Sequence, residues 1–276
     1  MNASRNFALP LVALFFGLLL VPRAAMAGAA DCPSEPKQGV PILSGDVYAG
    51  TNCTLNTPGD IDGFQFAANS GDVWEAVVGI NGVVDNNICL TIYDPNGNTV
   101  FSGCSSYGLN SFAVLTQQSL TTTGKYSLAV TEEYEGALNY GASLERLYPA
   151  PPDGKMVTLG QAVDAEINPV SDQGTYTFVG SSNSKYQASA TVLDSDTQNV
   201  CLAVFSPTGT SEGSGCTNYG LNSFTVNVQF TPPESGTNVV IVTQGANNST
   251  VNYSVEVSCL SNCTVKTSAL YPKRRR

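Results

Sequence analysis

The sequence predicts an all-β protein made of two tandem antiparallel β-sandwich domains. Three observations predict it: a composition of turn and strand formers, an internal duplication, and cysteines that follow that duplication. The chain has 276 residues, enough for one large domain or two ordinary ones, with only 12% charged residues and 26 glycines. Helices favour Ala, Leu, Glu and Lys, whereas this balance suits short strands joined by many turns.

The duplication settles the architecture. Shifted by 112 residues, the chain matches itself without a gap from about Asp60 to Gly124. Asp60 and Phe66 fall on Asp172 and Phe178, and Asn87, Cys89 and Leu90 fall on Asn199, Cys201 and Leu202. Tyr107-Gly-Leu-Asn-Ser-Phe112 recurs as Tyr219-Gly-Leu-Asn-Ser-Phe224.

Each copy then checks the other's strands. Trp74, Ala76, Val78 and Ile80 alternate with Val73, Glu75, Val77 and Gly79; Tyr186, Ala188, Ala190 and Val192 alternate with Lys185, Gln187, Ser189 and Thr191. The polar residues of the second copy mark the wet face, so the Trp74 and Tyr186 faces are expected in the core. Ile88, Leu90 and Ile92 match Val200, Leu202 and Val204. Asp94-Pro-Asn-Gly97 and Ser206-Pro-Thr-Gly209 follow in the residue order of a type I turn. Further strands are expected around Phe112–Leu115 and Tyr126–Val130, with counterparts near Phe224–Val228 and Val239–Val242.

Before the repeat, Arg5, the apolar run Ala8 to Val21 and the small-x-small Ala25-Met26-Ala27 read as a signal peptide over residues 1–27. The run is short for a membrane span of about 20 residues. The mature chain is expected to begin near Gly28, without a membrane span, and to be secreted, extracellular or periplasmic. The first domain is placed at 28–148, a proline-rich linker at 149–154 and the second domain at 155–258. A cysteine-containing basic tail at 259–276 completes the chain.

Without the signal, 10 basic residues face 22 acidic ones, a net charge of −12, and four of the bases are Lys273 to Arg276. So acidic a body argues against nucleic acid as a partner. The eight cysteines, an even number behind a signal, read as disulfides. Cys89 with Cys104 and Cys201 with Cys216 hold equivalent positions, and each such loop of about 15 residues is worth roughly 3 kcal/mol in the chain-entropy model. For the remaining four, Cys32–Cys53 with Cys259–Cys263 is the local solution, and a bridge from Cys32 to the C-terminal pair is the alternative.

From Asp60-Ile-Asp62-Gly-Phe64-Gln-Phe66, through Ile88-Cys-Leu-Thr-Ile-Tyr-Asp-Pro-Asn-Gly97, to Thr123-Gly-Lys-Tyr-Ser-Leu-Ala-Val130, the first copy resembles a bacterial pre-peptidase C-terminal (PPC-like) domain. The second copy keeps Asp172, Tyr176, Phe178, Pro207 and Gly209 but has Gly174 where the first has Asp62. The resemblance implies jelly-roll-like sandwiches that are not catalytic. Such domains are usually appended to secreted peptidases, and some bind calcium, polysaccharide or fibrous protein. This sequence shows no peptidase ahead of the modules.

With no histidine, Ser-His-Asp and Cys-His catalysis and histidine-liganded zinc are absent. The densest acidic cluster, Glu132, Glu133 and Glu135, reads as a solvated loop, and no enzyme is expected. No cofactor is expected beyond calcium. Asp94, Asn96 and Asn98 alternate oxygen ligands as hard cations like, although the second copy keeps the turn and loses the charge. Asp60, Asp62 and Asp85 form a second calcium candidate. In the repeated hexapeptide, Tyr107 and Asn110 with Tyr219 and Asn222 are candidate ligand or interface residues, against a structural role in which the glycine sets a turn and Phe112 or Phe224 fills the core. Asn52, Asn247, Asn248, Asn252 and Asn262 head glycosylation sequons. The residues support a secreted, non-catalytic binding or adhesion protein for an extracellular polysaccharide or protein surface. Self-association into a filament or surface layer, by strand addition at exposed edges, is the alternative. An accessory protein of a secreted hydrolase is the third.

Overall fold

The structure is a computed structural model that describes residues 30–34, 38–82, 85–106, 113–134, 136–193, 198–245 and 250–263. It is built from β-strands in two sandwiches. The first holds β1 (Val40–Pro41), β2 (Asp46–Tyr48), β3 (Thr54–Leu55), β4 (Ile61–Ala68), β5 (Val73–Ile80), β6 (Ile88–Tyr93), β7 (Thr99–Cys104), β8 (Ala113–Ser119), β9 (Gly124–Glu132) and β10 (Leu138–Tyr148). The second holds β11 (Lys155–Met156), β12 (Val163–Ile167), β13 (Gln173–Gly180), β14 (Lys185–Val192), β15 (Val200–Phe205), β16 (Ser211–Cys216), β17 (Thr225–Phe230), β18 (Gly236–Gln244) and β19 (Val251–Ser261).

The same topology occurs twice. In the first sandwich β1-β4-β9-β6-β7 faces β2-β10-β5-β8; in the second β11-β13-β18-β15-β16 faces β12-β19-β14-β17. Pairing is antiparallel except at the edges β1 with β4 and β11 with β13. Strand β12 runs along β19 in one piece, whereas β2 and β3 share β10 on either side of a loop. Cys53, in that loop, is bonded to Cys32.

The expected core face is the observed one. Trp74, Ala76, Val78 and Ile80 are buried with Phe64, Phe66, Leu90 and Tyr126. Tyr186, Ala188, Ala190 and Val192 are buried with Phe178, Leu202, Val242 and Tyr253. The two type I turns form as their residues dictate: Gly97 N–H bonds to the Asp94 carbonyl at 3.0 Å and Gly209 N–H to that of Ser206 at 2.9 Å. Both glycines have positive φ, the left-handed conformation that a residue without Cβ adopts most readily.

One expectation fails. The Val73, Glu75, Val77 face of the first copy is not wet, because every residue of β5 is buried. The second sandwich lies over it. Val73 and Leu147 pack with Phe205, Val239 and Ile241 in a third apolar cluster, flanked by Tyr148, Ala150 and Ala203. Two features let the backbones come close. A Cβ on Gly141 would collide with the Val170 carbonyl, and one on Gly209 would press on Val73 and Tyr148.

Candidate functional site

Side chains directly opposite one another on paired strands share a face. Glu145 of β10, Glu75 of β5 and Gln117 of β8 therefore form one row across the covered sheet, and Ser143, Val77 and Leu115 form the next. Polar contacts from these rows fix the second sandwich. Gln117 Nε2 donates to the Gly209 carbonyl at 3.1 Å, Ser143 Oγ donates to the Ser171 carbonyl, and Gln173 Nε2 donates to Ser143 Oγ at 2.9 Å. Ser44 Oγ stands 3.1 Å from both Glu145 Oε2 and Asp153 Oδ1.

Two acids are buried in this seam. Glu75 is 3% exposed, and burial alone pushes its carboxyl up to about 7. Glu145 is raised well above the ordinary range, first by burial and then by the negative charge of Asp153. Asp172, close by, is pushed up to about 6, chiefly by burial. Glu75 opens onto a cleft of about 270 Å³ between the sandwiches; Gln117, Ser214, Thr243, Phe205 and Ile241 also line it. The Cys201–Cys216 bridge forms part of its wall.

A second polar feature lies on the opposite side of the second sandwich. The outer face of β14 and β17 carries a lattice of amides and hydroxyls. Gln187 Nε2 donates to Asn227 Oδ1 at 3.1 Å, Ser189 Oγ to the same oxygen at 2.7 Å, and Gln229 Nε2 to Gln187 Oε1 at 3.0 Å. The Thr191 and Thr225 hydroxyls are 2.9 Å apart. Ser254, Glu256 and Ser258 of β19 continue the face.

The residues singled out from sequence are dispersed. Strands β4 and β6 both run antiparallel to β9, so Asp62, at the start of β4, and Asp94, just beyond β6, lie at opposite ends of the sheet. Asp62 is fully buried and accepts a 2.5 Å hydrogen bond from Tyr140 Oη. Asp60 Oδ2 accepts from Asn56 N–H at 2.9 Å. Asp94 caps its own turn: the Asn98 side-chain amide, donating at 3.0 Å, and then the backbone N–H groups of Asn98 and Asn96, at 2.8 Å, hold its carboxyl below the usual range. Asp85 is exposed. Among the described residues, no three carboxylates or cysteines gather as a metal site.

Glu132 Oε1 accepts from Gly59 N–H and Glu133 Oε2 from Asn87 Nδ2; Glu135 lies outside the described residues. So do Tyr107, Asn110 and Phe112, and the side chain of Tyr219. In the second copy the hexapeptide forms a 3-10 turn over Tyr219–Leu221, and Asn222 closes it at φ 53°. Asn is one of the few residues that visit this conformation routinely. Phe224 does not fill the core: it is half-buried and stands outside the buried cluster. Cysteine pairing follows the local solution: Cys89–Cys104, Cys201–Cys216, Cys32–Cys53 and Cys259–Cys263.

Sequence reasoning missed Glu75 and Glu145. The signal was present in the departures between copies, where Val73 and Val77 face Lys185 and Ser189 in the alignment. An apolar stripe opposite a core face marks a strand covered on both sides.

No family model matches the chain, and no curated protein does. Solved structures show distant likeness. One is CorA, a surface-associated copper-binding protein of Methylomicrobium album BG8, with 10% identity over 39% of this chain and 98% of that one, at a TM-score of 0.33. Another is the CBM22 tandem of Paenibacillus barcinonensis Xyn10C, with 9% identity over 83% and 100% of the two chains and a TM-score of 0.25. A third is the M60 catalytic domain with two CBM51 domains from Clostridium perfringens ZmpB, with 7% identity over 72% and 33% and a TM-score of 0.25. Scores this low carry no weight for family or function.

Proposed function

We propose that the chain is a secreted, non-catalytic binding protein that holds a neutral extracellular polysaccharide on the outer face of β19-β14-β17. The observation that carries this reading is the lattice of Gln187, Ser189, Asn227 and Gln229. It presents hydrogen-bonding groups already fixed to one another across two strands. Each hydroxyl has one donor and two acceptor positions, so the lattice keeps capacity for a partner while losing little side-chain entropy on binding. A surface with few charges suits a hydroxyl-rich neutral polymer better than nucleic acid or a charged protein patch. The likeness to PPC-like domains, some of which bind polysaccharide or fibrous protein, agrees with this.

Catalysis is not part of the reading. Glu75 and Glu145 are opposite one another on paired strands, and a retaining glycosidase works with two carboxyl groups. Both are driven toward the neutral acid, however, and such an enzyme needs one ionised nucleophile.

The test is co-sedimentation with insoluble cellulose, chitin and xylan, with fibrillar collagen as the protein arm. Replacing Gln187 and Asn227 by Ala together should weaken polysaccharide binding at least about tenfold, the loss of roughly 1.4 kcal/mol. Equal binding by this variant, or binding to collagen alone, would sink the reading. Ordered polymers in the absence of ligand would favour the filament instead.

A further inference from the structure

The polysaccharide reading makes no use of the seam, where Glu75 is out of place. It is almost wholly buried in a face where Val73 and Leu147 make apolar contact with the second sandwich. Burial is the one influence on its carboxyl; neither a hydrogen-bond donor nor an opposite charge among the described residues offsets it. Its carboxyl opens onto the cleft, and a buried acid that faces a cleft with its titration displaced marks a candidate binding group. The equivalent residue of the second copy is the neutral Gln187.

The cleft before Glu75 says what is missing. Glu75 is the one charged residue among those lining it, so an anion is excluded by sign. Gln117, beside it in the same row, has its Nε2 engaged by the Gly209 carbonyl, which leaves its oxygen as the acceptor. Ser214 and Thr243 add hydroxyl oxygens, while Leu115, Phe205 and Ile241 supply an apolar wall. A divalent metal needs several oxygen ligands, and the described acids form no such group. At about 270 Å³ the space suits a small organic molecule.

We propose that the cleft between the two sandwiches binds a small organic ammonium ion. Its charged nitrogen sits on the Glu75 carboxylate, and its alkyl body lies against Leu115, Phe205 and Ile241. Binding requires the carboxylate, so affinity rises as Glu75 ionises. Of the groups packed around it, β10 contributes Glu145 in the same row and β8 contributes Gln117. Strands β15, β16 and β18 bring no titratable side chain to the lining, since Cys201 and Cys216 are bonded to each other.

The test is calorimetric titration of the whole disulfide-bonded chain with n-butylammonium chloride in phosphate buffer, beside n-butanol and sodium butyrate. The ammonium should bind saturably near pH 8 and at least about tenfold more weakly near pH 5.5, where a group titrating near 7 is mostly protonated. Butanol should bind more weakly and butyrate should not bind. Glu75→Gln should lose the ammonium by at least about tenfold and lose the pH dependence with it. Ser214→Phe, at an exposed position on the far wall, should block the cleft without disturbing the seam, and it decides the matter where Glu75→Gln fails to fold. The proposal is overturned by an absence of saturable ammonium binding to the unmutated chain, by butanol binding as tightly as the ammonium, or by unchanged affinity in either variant.

Discussion

The outer face of β10-β5-β8 in the first sandwich and that of β19-β14-β17 in the second come from the same repeat, yet one is buried under a neighbour and the other is wet. The difference lies in a few side chains. Val73, Val77 and Leu115 of the first copy correspond to Lys185, Ser189 and Asn227 of the second. On the other sheet the change runs the opposite way: Ala203, Phe205 and Ile241 of the second copy correspond to Thr91, Tyr93 and Ala129 of the first. Each copy is thus apolar on one outer face only, and the two apolar faces meet. Were the contact to recur between molecules it would join polar faces, so this interface stops at two copies and does not propagate. Heterologous contacts that do not close make fibres; a filament of this protein would have to grow from strand edges instead.

The largest expected effect breaks the covered face while sparing its counterpart. Ile241→Asp places an unpaired charge in the seam and should destabilise by at least about 3 kcal/mol, whereas Ala129→Asp, at the equivalent half-buried position, should stay within about 1 kcal/mol. Denaturant unfolding followed by intrinsic fluorescence measures both. If the sandwiches are held by the seam, Ile241→Asp should also split one transition into two. Equal effects at the two positions would mean that the seam contributes little.

Next comes pH. Glu75 is pushed up to about 7 from an ordinary value of 4.5. The folded chain therefore holds a proton that the unfolded chain has released, and its contribution to stability is complete below about 4.5 and is lost as pH rises through 7. Over that window Glu75 alone removes up to about 3 kcal/mol. Asp172, pushed up to about 6, and Glu145 act in the same direction. Thermal unfolding should therefore show higher stability near pH 5 than near pH 8, and Glu75→Gln should flatten much of the slope. Gln187→Glu, on the wet face, should create none.

How much of this was legible in the sequence follows from what each signal measures. Alternation within a strand reports which face is apolar, and wherever only one face is covered it is sufficient, as at Tyr186, Ala188 and Ala190. The duplication placed strand after strand and the cysteine pair of each copy, because a repeated sequence folds by repeating its pairings. It misled where the copies differ in what covers them. Taking Gln187 as a guide to Glu75 assumed that equivalent faces share an environment, and a domain contact is the kind of tertiary fact that breaks that assumption. The calcium candidates illustrate another limit. Sequence spacing does not report that Asp60 and Asp94 accept from backbone N–H groups of their own turns, or that Asp62 is buried against the Tyr140 hydroxyl. The lattice on β14 and β17 was half visible, since Gln187 and Ser189 were read as wet, whereas the bonds to Asn227 depend on cross-strand register.

A smaller effect sharpens the comparison inside the two cores. In the first, Tyr140 Oη donates to Asp62; in the second, the equivalent Tyr253 and Tyr176 hydroxyls lie 2.7 Å apart, and Gly174 stands where Asp62 would be. A Cβ on Gly174 would collide with Tyr253 Oη. The two copies thus solve one problem, a buried tyrosine hydroxyl, in ways that exclude each other. Gly174→Ala should cost about 1–3 kcal/mol by overpacking. Asp62→Ala should cost a similar 1–3 kcal/mol by removing the partner of Tyr140. Asp62→Ala with Tyr140→Phe removes the hydroxyl as well and should recover part of that loss, and a double-mutant cycle read by denaturant unfolding measures the coupling.

The smallest effect tests the repeated hexapeptide. Asn222 sits at φ 53° on an exposed turn, with the Asn218 and Ser223 backbone groups bonded to each other around it. If the motif persists for its backbone, Asn222→Gly should be neutral or stabilise by a few tenths of a kcal/mol, and Asn222→Ala should cost about 1 kcal/mol, the penalty of a Cβ in the left-handed region. If it persists for a ligand that reads the amide, polysaccharide pelleting should fall equally in the two variants, including Asn222→Gly, which keeps its stability. Stability and binding thus separate a turn from a site at one position, and the same pair of substitutions at Asn110 asks whether the first copy uses its motif as the second does.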